Sequence, residues 1–220
     1  MNEKSYIYFF TATILNWRNL LQDDQYKSII TNSLDYLVSN RKIAIYAFVV
    51  MPNHIHLVWR ALPPYEYDKI HGDFLPFTAH RFKRHLARNH PRELAAFYVG
   101  KKDREYQFWQ RYPLSVELYS RNVISQKIDY IHNNPVHDRW ALTETPDQYM
   151  FSSAGFYIWK MTKAGLFSRT SWRIGEWYWL VRTPTKADKA STKFANIDKL
   201  LIFALVVNPI LHTPKSVRLC

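Results

Sequence analysis

The chain has 220 residues, of which 47% are hydrophobic and 16% aromatic, enough for one packed domain with an appendage. Its 30 lysine and arginine residues against 18 acidic residues leave a formal net charge of +12, which favours a polyanionic partner such as nucleic acid. The longest uncharged apolar run, residues 200–207, is too short to span a membrane, and the single cysteine, Cys220, excludes an internal disulfide and a thiolate metal cluster. We therefore expect a soluble, cytoplasmic protein with no membrane partner.

The first sixty residues predict a strand, a helix and a β-hairpin. The strands are apolar and rich in strand-forming residues, and the helix carries apolar residues at helical spacing. The predicted elements are a strand at 6–15, a helix starting at Asp23–Asp24 and ending at Asn40–Arg41, a strand at 43–51, a turn at Pro52–Asn53 and a strand at 54–60.

Three further elements complete a recognisable order. They are a basic helix at 77–90, a short strand at 115–119, and a helix at 121–134 with a buried stripe of Val123, Ile124, Lys127, Ile128 and Ile131. The order β-α-β-β-α-β followed by a helix predicts an α+β ferredoxin-like sandwich, an antiparallel sheet with helices on one face. We predict that residues 1–157 form this domain and that residues 158–220 form a basic C-terminal extension of unknown structure.

The first candidate site is the pair His54 and His56 on the predicted hairpin strand. Residues two apart on a strand point to the same face, with Cα atoms about 6.5 Å apart. Two imidazoles so placed can bind one divalent ion, each keeping its second ring nitrogen for an orienting partner. The alternative is two ordinary polar strand residues, because a chain with nine histidines yields such pairs by chance.

The second candidate is the pair Tyr130 and Asn134 on the last helix. Residues four apart share a helix face, here at the edge of the apolar stripe. Asn134 precedes Pro135, which ends the helix, and the partial negative charge of a helix C-terminus tolerates a cation. The amide oxygen can thus coordinate a metal beside the phenol. The alternative is that Tyr130 packs at the core edge and Asn134 only caps the helix.

Together, the two pairs form a possible phosphoryl-transfer site. A divalent ion held by two histidines and an amide oxygen keeps open positions for phosphate oxygens and polarises the phosphorus. A nearby tyrosine can attack that phosphorus, which gives a phosphotyrosine and a free 3′ hydroxyl. The phenol is protonated at neutral pH, so the metal or a local base must activate it.

Three segments resemble the signature segments of the single-tyrosine HUH transposases, and the most similar branch is the REP-associated, insertion-sequence transposase-like proteins. The segments are VVMPNHIHLVW at 49–59, FWQRYP at 108–113 and KIDYIHNNPV at 127–136, and the similarity runs from about residue 6 to residue 157. The resemblance implies that His54-Ile55-His56 is the HUH motif, that Tyr130 is the nucleophile and that Asn134 is the third metal-side residue. Other members of the wider group use a glutamine at that helical spacing.

The resemblance also implies a ferredoxin-like fold, dependence on Mg²⁺ or Mn²⁺, and single-stranded DNA with hairpin ends as the substrate. We therefore expect a transposase that nicks and rejoins single-stranded DNA through a covalent 5′-phosphotyrosine. The alternatives are a domesticated nickase that processes repeated palindromes and a non-catalytic nucleic-acid-binding protein on the same fold. A homodimer is expected if the tyrosine helix docks on a neighbouring chain.

Other residues are candidates for contacts with DNA. Nine basic and three acidic residues lie between residues 81 and 111. We expect a DNA backbone, or else solvent, to contact the basic helix face formed by Arg81, Lys83, Arg84 and Arg88. Trp109 is expected to stack on a base or to lie in the core, and Arg111 to hold a phosphate. Tyr119 is the rival nucleophile, although it precedes the helix, and His132 points away from Tyr130.

Overall fold

The structure is a computed structural model that describes residues 6–157. Its helices and strands are β1 (Ile7–Thr13), α1 (Asp24–Ser39), β2 (Ile43–Val50), β3 (His54–Ala61), α2 (Tyr67–Asn89), α3 (Pro91–Leu94), β4 (Tyr98–Lys101), β5 (Arg104–Tyr106), β6 (Leu114–Leu118) and α4 (Arg121–Asn133). None of the helices within this part of the chain is long and apolar enough to cross a membrane. The predicted extension, residues 158–220, lies outside the described residues.

The main sheet has four strands in the order β2-β3-β1-β6, and every neighbouring pair is antiparallel. Strands β4 and β5 form a separate two-stranded sheet. The four-stranded order and the two crossover helices confirm the predicted α+β ferredoxin-like sandwich.

The hairpin between β2 and β3 places the histidines at the start of β3. The turn is closed by the Met51 amide, which donates to the His54 carbonyl at 2.8 Å. Strand β3 lies in the interior of the sheet between β1 and β2, so its backbone hydrogen-bonding groups are paired on both edges. Pairing on both edges fixes the position of β3 in the sheet and therefore the face to which each of its side chains points.

The two faces of the sheet are covered by different helices. Phe10 on β1 packs against Trp59 on β3, and Trp59 contacts Phe74 of α2, so α2 covers the apolar side of β3. Helix α1 packs beside α2 on this face. The next residue along β1 towards its start, Phe9, points the opposite way and contacts Tyr130 of α4. Helix α4, the further helix of the predicted order, therefore lies on the opposite face of the sheet, which carries the histidines.

Helix α2 begins at Tyr67, ten residues before the predicted start of the basic helix. The prediction stopped at Pro76, which lies inside the helix and removes one backbone hydrogen bond at a cost of about 3 kcal/mol. Continuous burial offsets this cost, because apolar residues are buried on both sides of the proline. They are Ile70, Phe74, Leu75, Phe82 and Leu86.

Helix α4 is rotated slightly from the predicted orientation. Its buried residues are Ile124, Ile128, Ile131 and His132, whereas Val123 is exposed and Lys127 is only half-buried. On the buried face, the His132 Nε2 atom forms a hydrogen bond with the Ser153 hydroxyl at 2.8 Å. His132 thus points into the protein, away from Tyr130, as the sequence predicted.

Candidate active site

His54 and His56 lie side by side on β3 and are both buried. Their ring centroids are 4.6 Å apart, and the ring planes meet at 71°. The two-residue spacing on the strand therefore brings the imidazoles to one point on the face covered by α4, as the sequence predicted.

Each imidazole is oriented by a polar side chain through its Nδ1 atom. The Nδ1 atom of His56 lies 2.7 Å from the hydroxyl oxygen of Thr11, its direct cross-strand neighbour on β1. The Nδ1 atom of His54 lies 2.7 Å from the Oδ1 atom of Asn53 in the hairpin turn, and an amide oxygen can only accept, so this nitrogen carries the proton. Such outer contacts hold the ring orientation of metal-binding histidines.

Both histidines are neutral at physiological pH. Burial, together with the positive charge of Arg139, lowers the pKa of His54 to about 4, and the interaction with Asn134 acts against the shift. Burial lowers the pKa of His56 to about 3, helped by His54 and by Lys127. A neutral imidazole keeps the nitrogen lone pair that a metal ion requires.

Tyr130 comes to the histidine pair from α4 of the same chain. Its ring centroid is 5.3 Å from that of His56 and 6.1 Å from that of Phe9. The side chain is 51% exposed, so the phenol borders the buried imidazoles while it remains open to solvent. One turn earlier on the helix, the Lys127 ammonium lies 4.7 Å from the centre of the Phe9 ring and 5.7 Å from that of Tyr130.

Asn134, the fourth of the predicted site residues, lies at the end of α4. Its side-chain nitrogen donates to the Tyr130 carbonyl at 3.3 Å, which leaves the amide oxygen available. Asn134 acts to raise the pKa of His54, because its amide oxygen faces the ring and can accept from it when the ring is protonated. The four predicted residues therefore meet in one chain, with Asn134 beside His54 and Tyr130 beside His56.

This donor set fits a divalent cation. Among residues 6–157, no group of three or more histidine, cysteine, aspartate or glutamate side chains could hold a metal ion. A metal at this position would therefore rest on two neutral imidazoles and one amide oxygen. Three ligands of this kind would leave coordination positions open to phosphate oxygens.

The basic helix face lies on the other side of the sheet from this group. Arg81, Arg84 and Arg88 are exposed on α2, whereas Lys83 forms an ion pair with Glu105 at 3.1 Å. Because α2 packs on the apolar side of β3, the sheet separates these cations from the imidazoles. The sequence could not indicate this separation, since it depends on which face each helix covers.

Trp109 and Arg111 differ in burial. Trp109 is buried in the core, where its indole N–H donates to the Thr78 hydroxyl at 3.0 Å and its ring contacts Phe82. The structure thus favours the core alternative for Trp109 over base stacking. Arg111 is exposed, and the preceding amide, of Gln110, donates to the carbonyl of Thr13 at 2.7 Å. Since Thr13 is the cross-strand neighbour of His54, Arg111 lies at the same end of the sheet as the histidines.

Comparison with known proteins identifies the family. The sequence model of the family described as IS200-like transposases matches residues 4–134. The chain belongs to the IS200-like transposase family. A search of curated proteins finds no match.

Two solved structures are similar to this transposase. A structure of a REP-associated tyrosine transposase bound to a REP hairpin is 20% identical, has a TM-score of 0.52, and the match covers 79% of this chain and 93% of the other. A putative transposase from Deinococcus radiodurans is 16% identical with a TM-score of 0.40, and the match covers 60% of this chain and 92% of the other. At this identity, the likeness to the first structure shows a shared fold.

Several residues of the transposase site were missed by sequence reasoning. The sequence predicts Asn53 only as a turn residue, although its position next to His54 is a usable signal. It predicts Lys127 in the buried stripe, although the helical spacing from Tyr130 places it on the same side of α4. Thr11 carried no local signal, because its contact with His56 depends on the register between β1 and β3.

Proposed function

We propose that this transposase nicks and rejoins single-stranded DNA through a covalent 5′-phosphotyrosine on Tyr130. The observation that carries the proposal is the contact between the Tyr130 and His56 rings, 5.3 Å apart between centroids, with Asn134 beside His54 in the same chain. A half-exposed phenol at the border of buried, neutral imidazoles suits a nucleophile that must reach a DNA strand from solvent.

In this proposal, His54, His56 and Asn134 hold a divalent cation, Mg²⁺ or Mn²⁺. When bound, the ion supplies Lewis-acid polarisation of the scissile phosphate. The histidines contribute neutral nitrogen ligands because burial keeps them unprotonated at pH 7. Thr11 and Asn53 hold the two rings in place.

The Tyr130 hydroxyl oxygen attacks the phosphorus of the scissile link. The bond between phosphorus and the 3′ oxygen breaks as the bond to the tyrosine oxygen forms. The phenol loses its proton, and the leaving 3′ oxygen gains one. Rejoining is the reverse step, in which a 3′ hydroxyl attacks the phosphotyrosine and releases Tyr130. Covalent attachment preserves the phosphoester for this second transfer. Lys127 places a positive charge beside Tyr130 where a phosphate oxygen would lie.

We further propose that cations of the basic helix and one near the histidines bind the DNA backbone. Those proposed are Arg81, Lys83, Arg84 and Arg88 on α2 and Arg111 near the histidines. The hairpin DNA bound by the structurally similar REP-associated tyrosine transposase supports a hairpin or single-stranded partner for this chain. Because α2 and the imidazoles lie on opposite faces, DNA that touches both must pass around an edge or end of the sheet.

The test compares wild-type protein with Tyr130→Phe on a labelled hairpin oligonucleotide in the presence of Mg²⁺ or Mn²⁺. We expect the wild type to form an adduct that survives denaturing electrophoresis, and the variant to bind the DNA without forming one. Tyr119→Phe is the matched control, and it should still form the adduct. Equal behaviour of wild type and Tyr130→Phe would overturn the proposal in favour of a non-catalytic DNA-binding protein.

A mixing experiment tests whether one chain builds the whole site. Tyr130→Phe retains the histidines, and His56→Ala retains the tyrosine, so a site composed from two chains would recover activity in a mixture. Because both residues meet within one chain, we expect the mixture to form no adduct. Recovery of the adduct would show a composite site in a homodimer.

A further inference from the structure

Trp17 presents its ring to solvent just beyond the end of β1. It closes the short helical turn Leu15–Trp17, and its side chain is 54% exposed. Trp59 and Trp109, by contrast, are buried in the core. An exposed indole offers a large flat surface on which another ring can stack.

The backbone at Trp17 is strained. Asn16 has φ of 56° and Trp17 has φ of 57°, so two consecutive residues that are not glycine adopt the left-handed conformation. For a residue as bulky as tryptophan this conformation is a true outlier, and such strain persists only where surrounding contacts enforce it. Two contacts hold Trp17 here: its amide donates to the Ile14 carbonyl at 2.9 Å, and the Asn53 side-chain nitrogen donates to its carbonyl at 3.2 Å.

The same Asn53 side chain links Trp17 to the histidine pair. Its oxygen accepts from the His54 Nδ1 atom at 2.7 Å while its nitrogen holds the Trp17 carbonyl. A single carboxamide thus joins the strained turn and the imidazole. The Trp17 backbone, from which the exposed indole projects, is therefore tied to the hairpin turn that carries Asn53 and His54.

The residue that follows Trp17 in the chain carries a positive charge. Arg18 is exposed, and its guanidinium carbon lies 5.9 Å from the centre of the Phe97 ring. Unpaired DNA is bound by aromatic rings that stack on bases together with cations that contact the backbone. A flat exposed ring followed by an arginine matches that chemistry.

We propose that Trp17 is a stacking site for an unpaired base of the DNA strand that enters the active site. The inference rests on the proposed function, because it takes single-stranded DNA as the ligand. The left-handed backbone at Asn16 and Trp17 sets the direction in which the Trp17 side chain leaves the chain, and Asn53 links that backbone to His54. Arg18 contacts the phosphate of the stacked nucleotide.

The test measures binding in the Tyr130→Phe background without divalent metal, so that no cleavage occurs. The probes are a labelled single-stranded oligothymidylate of twenty nucleotides and an abasic strand of the same length. We expect Trp17→Ala to weaken binding of the oligothymidylate about tenfold and to leave binding of the abasic strand unchanged, because only the former has bases to stack. Trp17→Phe, which keeps a ring, should stay within about threefold of the parent.

Two further variants serve as controls. Trp17→Gly relieves the left-handed strain, so it should melt no lower than the parent while losing the same tenfold in binding. Tyr36→Ala removes an equally exposed ring on α1 and should leave binding unchanged. Equal affinity of Trp17→Ala and its parent for the oligothymidylate, or an equal loss on the abasic strand, would overturn the inference. Adduct formation is scored separately, so failure of the Tyr130 proposal remains distinguishable from failure of this one.

Discussion

The two faces of strand β3 are buried to a similar extent but by different chemistry. On the face covered by α2, Leu57 and Trp59 are fully buried in apolar and aromatic contacts. On the face covered by α4, His54 and His56 are also buried, yet each imidazole is hydrogen-bonded to a neighbouring side chain. Apolar burial stabilises the fold without specifying chemistry, whereas polar burial must be satisfied group by group. The first face therefore supports the sheet, and the second orients reactive groups.

Substitution of Trp59 should show the largest effect on stability. Trp59→Ala removes a fully buried side chain from the α2 face, and we expect the free energy of unfolding to fall by about 3–5 kcal/mol. Urea denaturation measures the loss. His56→Ala on the other face should keep most of the stability but form no adduct. If His56→Ala proved as unstable as Trp59→Ala, the division between the two faces would be wrong.

Acid should destabilise the protein through its buried histidines. Burial lowers the pKa of His132 to about 4 from an ordinary value of 6.5, so the unfolded chain takes up a proton that the folded chain does not. The contribution of His132 to the free energy of unfolding is therefore fully present above pH 6.5. It is lost as the pH falls towards 4, and the loss is about 3 kcal/mol. His54 and His56 act in the same direction.

Urea denaturation at pH 7 and pH 4.5 measures this dependence. His132→Gln cannot titrate but can still hydrogen-bond to Ser153, so it should show a smaller difference between the two pH values than the wild type. An identical difference in both proteins would exclude His132 as a source of acid sensitivity.

The hydrogen bonds to the Nδ1 atoms of His54 and His56 should strengthen metal binding. Thr11→Val removes the hydroxyl that meets His56 Nδ1 and keeps the side-chain shape, and we expect Mn²⁺ affinity to fall about 10–100-fold. Isothermal titration measures the affinity. Thr11→Ser restores a hydroxyl and should recover most of the binding. Unchanged affinity in Thr11→Val would mean that the strand alone orients the ring.

The sequence was sufficient for the parts of the site that depend on local periodicity. The two-residue spacing of His54 and His56 and the four-residue spacing of Tyr130 and Asn134 each predicted a shared face, because strand and helix geometry act over a few residues. The order of elements likewise predicted the ferredoxin-like sheet. The paired residues of each motif lie close together along the chain, and the sheet could be predicted because the order of elements leaves few topologies.

The parts that sequence reasoning missed depend on contacts between distant segments. Thr11 meets His56 only because of the register between β1 and β3, which no local pattern encodes. The helix through Pro76 forms because burial against the sheet outweighs a local penalty. The placement of Arg84 and its neighbours opposite the histidines depends on which face α2 covers.

The smallest expected effect tests whether DNA reaches the face covered by α2. If Arg84 and Arg88 contact phosphates, each alanine substitution should weaken oligonucleotide binding modestly and lower the slope of log affinity against log salt concentration by about 1. Lys69→Ala is the matched control, because Lys69 is exposed on the same helix but lies outside the basic block. Fluorescence anisotropy at several salt concentrations gives the slopes. Equal slopes for all three variants and the wild type would confine the DNA to the histidine face, since a contacted phosphate must release its counterions.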